Sequence, residues 1–209
     1  MEIENSNKEA KKLNIDKDKL KKLVVLFKAI NTMNIIKNDN APIEIINNIY
    51  IGSVGAANNK EKLLEIGITH IINATSTLKN CFANQFVYLK LENLLDSPEC
   101  NIKKHFKDTN NFIESALKNT VKFDLNHNNT NISDKNNSTI ENSNKVLIHC
   151  HAGISRSSTI ILAYMIGVLK YKYEDALKIC KEKRSKINPN EGFIKQLKEY
   201  ELEVNKLYK

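Results

Sequence analysis

Apolar residues recur along this chain with two periods, and the switch between them marks out the elements. Short runs rich in isoleucine, valine, tyrosine and phenylalanine stand at about 43–46, 48–52, 70–74, 86–91 and 145–149 and read as strands. Between and after them the apolar spacing widens to three and four. Helices are expected at about 58–66, 102–118, 156–171, 173–184 and 191–205; the second of these carries Ile102, Phe106, Phe112, Ile113, Ala116 and Leu117 on one face. Strands that alternate with helices imply one α/β domain, with a mixed or mostly parallel sheet of about five strands flanked by helices. In open sheets of this kind, ligands bind beyond the carboxyl ends of the central strands.

Two stretches stand outside the alternation. Residues 1–40 are highly charged to about Lys12 and then show Leu20, Leu23, Val24, Phe27 and Ile30, the spacing of an amphipathic helix. Such a helix is expected to pack on the domain, to self-associate or to dock a partner. Lys11, Lys12, Lys17, Lys19, Lys21, Lys22 and Lys28 surround it, so a membrane-surface or targeting role is the alternative. Residues 119–144 hold nine asparagines and few apolar side chains, too few to offset the entropy of ordering them. The expectation is a disordered insert in a domain that otherwise runs over 41–209.

Composition narrows the class. A chain of 209 residues with 41% hydrophobic content can bury one sizeable core. Residues 160–169 are nearly all apolar but fall short of the ~18 to 20 that span a bilayer, so no transmembrane segment is expected. The start lacks the positive-then-apolar order of a signal peptide, and Glu2 after the first methionine leaves no N-myristoylation site. The expected location is the cytoplasm, with the nucleus as a further site. Cys81, Cys100, Cys150 and Cys180 show no C-x-x-C spacing, so neither a zinc site nor a disulfide framework is indicated. The net charge is +8, yet only two of the 32 basic residues are arginine. The lysines are scattered without interleaved aromatics, so specific nucleic-acid binding is not expected. Solvated faces account for most of them, although a basic surface around an anion site would draw acidic phosphoprotein segments.

The chemistry gathers at Val146-Leu147-Ile148-His149-Cys150-His151-Ala152-Gly153-Ile154-Ser155-Arg156-Ser157. A strand here ends in a thiol, turns through five residues and starts a helix at an arginine. Several backbone amides, a helix N-terminus and a guanidinium therefore converge on one point, which makes it an anion site. The same dipoles favour thiolate over thiol and so make Cys150 a candidate nucleophile. The backbone of His151, Ala152, Gly153, Ile154, Ser155 and Arg156 is the candidate cradle for a phosphoryl group. Arg156 offers two parallel hydrogen bonds to its oxygens where a lysine offers a point charge. Gly153 permits a positive φ and close approach. Ser157 is placed to donate to the sulfur when it leaves, and His149 to orient the loop from behind. A lone cysteine after an apolar strand is more often a small buried hydrophobe; glycine, hydroxyls and a rare arginine at these spacings argue against that here.

His-Cys-x-Ala-Gly-x-Ser-Arg-Ser resembles the signature loop of the cysteine-dependent protein phosphatases, in the version of the small dual-specificity branch. Ile43 to Ser53, Gly67 to Ala74 and Arg184 to Tyr200 are similar to the family's opening strand pair, next strand, and closing turn with last helix. The resemblance implies a protein tyrosine phosphatase-like fold and hydrolysis of phosphotyrosine, phosphoserine and phosphothreonine through a phosphocysteine, with no metal or other cofactor and with phosphoproteins in signalling as substrates. It also implies a general acid on the loop before the helix that starts near Ile102, where Asp96 stands at the family's spacing from Ile102 and Phe106. Asp96 before Ser97-Pro98 would otherwise be a turn residue; Glu92 and Glu99 are the alternative acids, and Asp108 falls within a helix. Asn73 and Asn190, in the matched segments, are further candidates to support the site with His149. The rival readings are a phosphoinositide or RNA 5′-triphosphate phosphatase, whose loops usually carry lysines, and a binding module without turnover, which would be expected to lack the cysteine or the acid.

Overall fold

The computed structural model describes residues 19–27, 30–31, 33–34, 37–118, 121–122 and 141–207. The chain enters its sheet through a hairpin, β1 (Ile43–Ile46) and β2 (Ile49–Gly52), paired antiparallel. The two linking residues, Asn47 and Asn48, take φ of 37° and 66°. Asparagine tolerates that left-handed region, and two such residues in succession turn with the twist of the flanking strands.

Next come the short helices α1 (Val54–Asn58) and α2 (Lys60–Ile66), where the apolar spacing predicts one helix over 58–66. The break falls at Asn59, whose side chain accepts from the amide of Lys62 and so starts a second helix. Gly67, at φ 82°, closes α2 in the left-handed conformation. Then follow β3 (Ile68–Asn73), β4 (Val87–Lys90), a 3-10 turn (Lys103–His105) and α3 (Phe106–Lys118). The two-residue strands β5 (Val121–Lys122) and β6 (Glu141–Asn142) pair antiparallel. The domain closes with β7 (Lys145–His149), α4 (Arg156–Gly167), α5 (Tyr173–Lys183) and α6 (Glu191–Lys206).

The five-stranded sheet has the order β1-β2-β7-β3-β4, with every pair but the first parallel. β7 is its middle strand, and its residues alternate between two cores. Val146 and Ile148 face the larger core, formed with α3 to α6, while Leu147 faces the smaller one with Tyr50, Leu63, Ile71 and Phe86. A strand covered on both faces is apolar throughout, which explains the unbroken Val-Leu-Ile run. The run 157–166 of α4 is likewise wholly buried. The central strand and the central helix are thus the two most constrained elements of the domain, and the Cys150 loop is the link between them.

Two expectations need correction. The disordered insert does not hold for its described residues, 121–122 and 141–144: β5 and β6 pair, Asn144 donates to the carbonyl of Ala116 at 3.0 Å, and Asn48 donates to the Ser143 hydroxyl at 3.1 Å. Each short strand has found a partner the pattern could not show, and residues 119–120 and 123–140 lie outside the described ones. At the N-terminus, residues 19–27 are helical, but Leu20, Leu23, Val24, Phe27 and Ile30 remain 45–65% exposed. The helix forms without packing its apolar face on the domain. The charged stretch before it, and Lys28, are not among the described residues. None of the described helices is long and apolar enough to cross a membrane.

Candidate active site

β7 delivers Cys150 to the carboxyl end of the sheet, where the thiol is buried to 1% exposure. Its Sγ accepts from the amide of Gly153 at 3.3 Å and lies 3.3 Å from the Ser157 hydroxyl. The loop above it is held from outside. The carbonyl of His151 accepts from the amide of Val54, that of Ala152 from Arg184, that of Gly153 from Arg184 Nε, and that of Ile154 from the amide of Asn188. With four successive carbonyls turned outward, the amides turn the other way. Among the described residues, those of Ala152, Ile154, Ser155 and Arg156 donate to no backbone carbonyl. They and the first turn of α4, which has no side-chain cap, form a concave set of donors.

Gly153 is fixed by two constraints. Its φ is 67°, and a β-carbon there would lie 2.8 Å from the backbone of Gly52 and 2.9 Å from Arg184. Arg156, at the start of α4, directs its side chain toward the loop before α3, with Nε 3.4 Å from Asp96 Oδ2. That Nε is buried and has no hydrogen bond among the described residues. A buried guanidinium nitrogen left without an acceptor is unfavourable, and an oxyanion bound at this place would supply one.

Asp96 reaches the loop across 59 positions of sequence, because its Oδ1 accepts from the Ser155 hydroxyl at 2.7 Å and from Asn190 Nδ2 at 3.0 Å. Asn190 is therefore beside the acid, and it also caps α6 by accepting from the amide of Phe193. Of the alternative acids, Glu92 pairs with Lys90, and Glu99 accepts from Ser97 on its own loop, which lowers its pKa. The structure brings Cys150, Arg156, Asp96, Ser157 and Asn190 together.

Asn73 does something else. Its side chain donates to the Leu78 carbonyl and to Asn80 and accepts from Thr75, so it shapes the turn after β3 rather than the cysteine loop. His149 lies behind the loop, with Nδ1 3.4 Å from the Cys150 carbonyl. Burial pushes its pKa down to about 4, with Arg156 acting in the same direction, so the ring is neutral at physiological pH. The pKa of His151 is lowered by burial and by Arg156.

Comparison with known proteins decides the family. "Dual specificity protein phosphatase 1" of Arabidopsis thaliana is 31% identical over 185 residues, which cover 88% of this chain and 80% of that protein. The chain belongs to the dual specificity phosphatase family. The family description "Dual specificity phosphatase, catalytic domain" matches residues 121–203, which include the whole cysteine loop. "MAP kinase phosphatase with leucine-rich repeats protein 3" of Dictyostelium discoideum is 34% identical over 93% of this chain, and the chain spans only 20% of that relative's length. Among solved structures, the human "tyrosine phosphatase-like serine/threonine/tyrosine-interacting protein" matches with a TM-score of 0.64 and 32% identity, over 79% of this chain and 99% of that one. The crystal structure of DUSP15 matches with a TM-score of 0.64 and 30% identity, over 80% of this chain and 92% of that one, and the fold is the mixed sheet with flanking helices that the sequence pattern predicts.

Sequence reasoning missed the brace behind the loop. Arg184 is 5% exposed and, besides its two loop carbonyls, binds both carboxylate oxygens of Asp39, one of them at 3.0 Å. The Asp39 carbonyl in turn accepts from Ser53, the cap of α1. One signal was available: in a chain that uses lysine almost everywhere, both arginines stand at this loop. Nothing in the sequence around Asp39 distinguishes it.

Proposed function

We propose that the protein is a protein phosphatase that hydrolyses phosphotyrosine and phosphoserine or phosphothreonine through a phosphocysteine. The observation that carries this reading is the buried Cys150 sulfur beneath a loop whose carbonyls from His151 to Ile154 are held by other parts of the fold, with Asp96 held against the same loop. Cys150 attacks phosphorus as a thiolate while the loop amides and Arg156 hold the equatorial oxygens. The P–O ester bond breaks and Asp96 gives its proton to the leaving oxygen. Water then attacks the phosphocysteine, Asp96 takes the water's proton, and the S–P bond breaks as Ser157 donates to the departing sulfur. Inorganic phosphate leaves. Asn190 and Ser155 position the Asp96 carboxyl over the loop in both halves.

The reading accommodates both kinds of phospho-residue because no Trp-Pro-Asp acid loop is present; the chain contains no tryptophan. Its loop also lacks lysine, unlike those of lipid-directed relatives. Turnover of para-nitrophenyl phosphate and of phosphopeptides, with and without a chelator, tests it. The expected result is chelator-insensitive hydrolysis that disappears in Cys150→Ser, with thermal stability and binding of phosphate retained. Full activity in that variant, or activity that requires added metal, would refute the proposal.

A further inference from the structure

The helix at residues 19–27 presents an apolar face that no described element of the domain covers. Leu20, Leu23, Val24 and Phe27 remain 45–65% exposed, and at about 100° per residue they fall within one arc of about 100°. Lys19 and Lys21 flank that arc and Lys22 stands opposite it, with Val25 and Leu26 between the lysines; all five are exposed. The three lysines form no ion pair among the described residues. From Lys19 to Asn38 the sequence holds five lysines and no acidic residue. A short helix without a packed face is marginal in water. This one calls for a cover that is apolar at its centre and negative at its edges.

We propose that the helix docks the protein on a membrane surface rich in anionic phospholipid, lying in the plane of the interface. Its apolar arc enters the boundary between headgroups and acyl chains, while Lys19 and Lys21 reach sideways along their stems to the lipid phosphates and carboxylates. The helix lies on the bilayer and does not cross it, since no described helix is long and apolar enough to do so. Charge decides against a second copy of this chain as the cover: two such helices would set lysine against lysine, with no acid in the stretch to pair with them. Asp39 stands twelve positions after Phe27 and is bound to Arg184 behind the cysteine loop. A docked helix therefore keeps that loop within about 40 Å of the bilayer. Docking itself does not depend on the chemistry at Cys150.

Flotation of the full chain with extruded vesicles tests this, in two compositions: phosphatidylcholine alone, and a two-to-one mixture of phosphatidylcholine and phosphatidylserine. Affinity for the mixed vesicles should exceed that for the neutral ones by about tenfold or more, since each lysine near such a surface favours binding about fivefold. A chain of net charge +8 can adhere to anionic lipid by charge alone. The deciding variant is therefore Leu23→Ser with Phe27→Ser, which removes apolar surface and keeps every lysine. Its affinity for the mixed vesicles should fall about tenfold or more, with the melting temperature unchanged. Undiminished binding would reveal adhesion by charge alone and overturn the proposal, and a lowered melting temperature would overturn it by showing that the face packs on the domain. Lys19→Gln with Lys21→Gln and Lys22→Gln should reduce the preference for the mixed vesicles about tenfold or more. An unchanged preference in that variant, or equal binding of the unsubstituted chain to both compositions, overturns the proposal as well. Absence of vesicle binding does the same, and sedimentation equilibrium then names the other occupant: a dimer that Leu23→Ser with Phe27→Ser dissolves would put a second copy on this face.

Discussion

A lysine at position 156 would keep the charge and lose the fork. Because a transferring phosphoryl group presents two oxygens to a planar guanidinium, Arg156→Lys is expected to reduce kcat for aryl phosphate by about 10² to 10⁴, with little change in melting temperature. A loss smaller than tenfold would assign the oxygens to the amides alone. Asp96 calls for a comparison of leaving groups. If its carboxyl protonates the departing oxygen, Asp96→Asn should slow phosphothreonine and phosphotyrosine peptides strongly. It should slow an aryl phosphate with an acidic phenol much less, since that oxyanion leaves unaided. Equal losses on both would move the role to another group, with Glu92 and Glu99 the first to examine. These residues were legible in the sequence because Cys150, Arg156 and Ser157 lie within one turn and its helix start. Asp96 required the family's spacing as well. The position of Asn73 in a matched strand, in register with His149, says nothing about where its amide finds partners, and those partners are local.

At the scale of the element, the cysteine loop is a strand-to-helix link whose shape is imposed from outside. Its outward carbonyls are held by α1, by Arg184 and by the turn before α6, so its amides are oriented before any ligand arrives. Arg184→Met keeps the bulk and removes the donors. That change leaves Asp39, whose side chain is 16% exposed, without its cation, and the expected destabilisation is about 2 to 4 kcal/mol. Mere loss of stability would not reveal a role in shaping the loop, so the inhibition constant of inorganic phosphate is the measurement. It should rise about tenfold or more in Arg184→Met, and partly recover in Arg184→Lys, which restores a cation for Asp39 but not both carbonyl contacts. Unchanged phosphate inhibition in a folded Arg184→Met would confine Arg184 to stability. The brace escaped the sequence because Asp39 and Arg184 are 145 positions apart, and only the path of the chain unites them. The strands and long helices were readable because their periodicity reflects which faces are buried. Two-residue strands and the five-residue α1 are too short to carry a period.

Across the molecule, burial acts on every histidine among the described residues in the same direction. The pKa values of His70, His105, His149 and His151, the described histidines, are all lowered, and burial is the first cause in each. Every one therefore binds a proton less readily folded than unfolded. Between the ordinary histidine pKa of 6.5 and the depressed value of about 4 for His149, the unfolded chain holds more protons, so stability rises with pH across that window. The sign is fixed: above pH 6.5 the penalty is absent, and it grows as the pH falls toward 4. For His149 the interval corresponds to about 3 kcal/mol, a sizeable part of the roughly 5 to 15 kcal/mol by which folded domains are stable. Urea unfolding at a series of pH values from 7 to 4 should show a falling free energy of unfolding. Because other groups also titrate toward the acid end of this range, the decisive quantity is a difference between proteins. In His149→Gln, which keeps a polar side chain behind the loop without a titrating group, the decline between pH 6.5 and 4 should be shallower by about that amount. Parallel curves for the two proteins would mean that His149 is free to take up its proton in the folded state, and that the loop in front of it opens more readily than its hydrogen bonds imply.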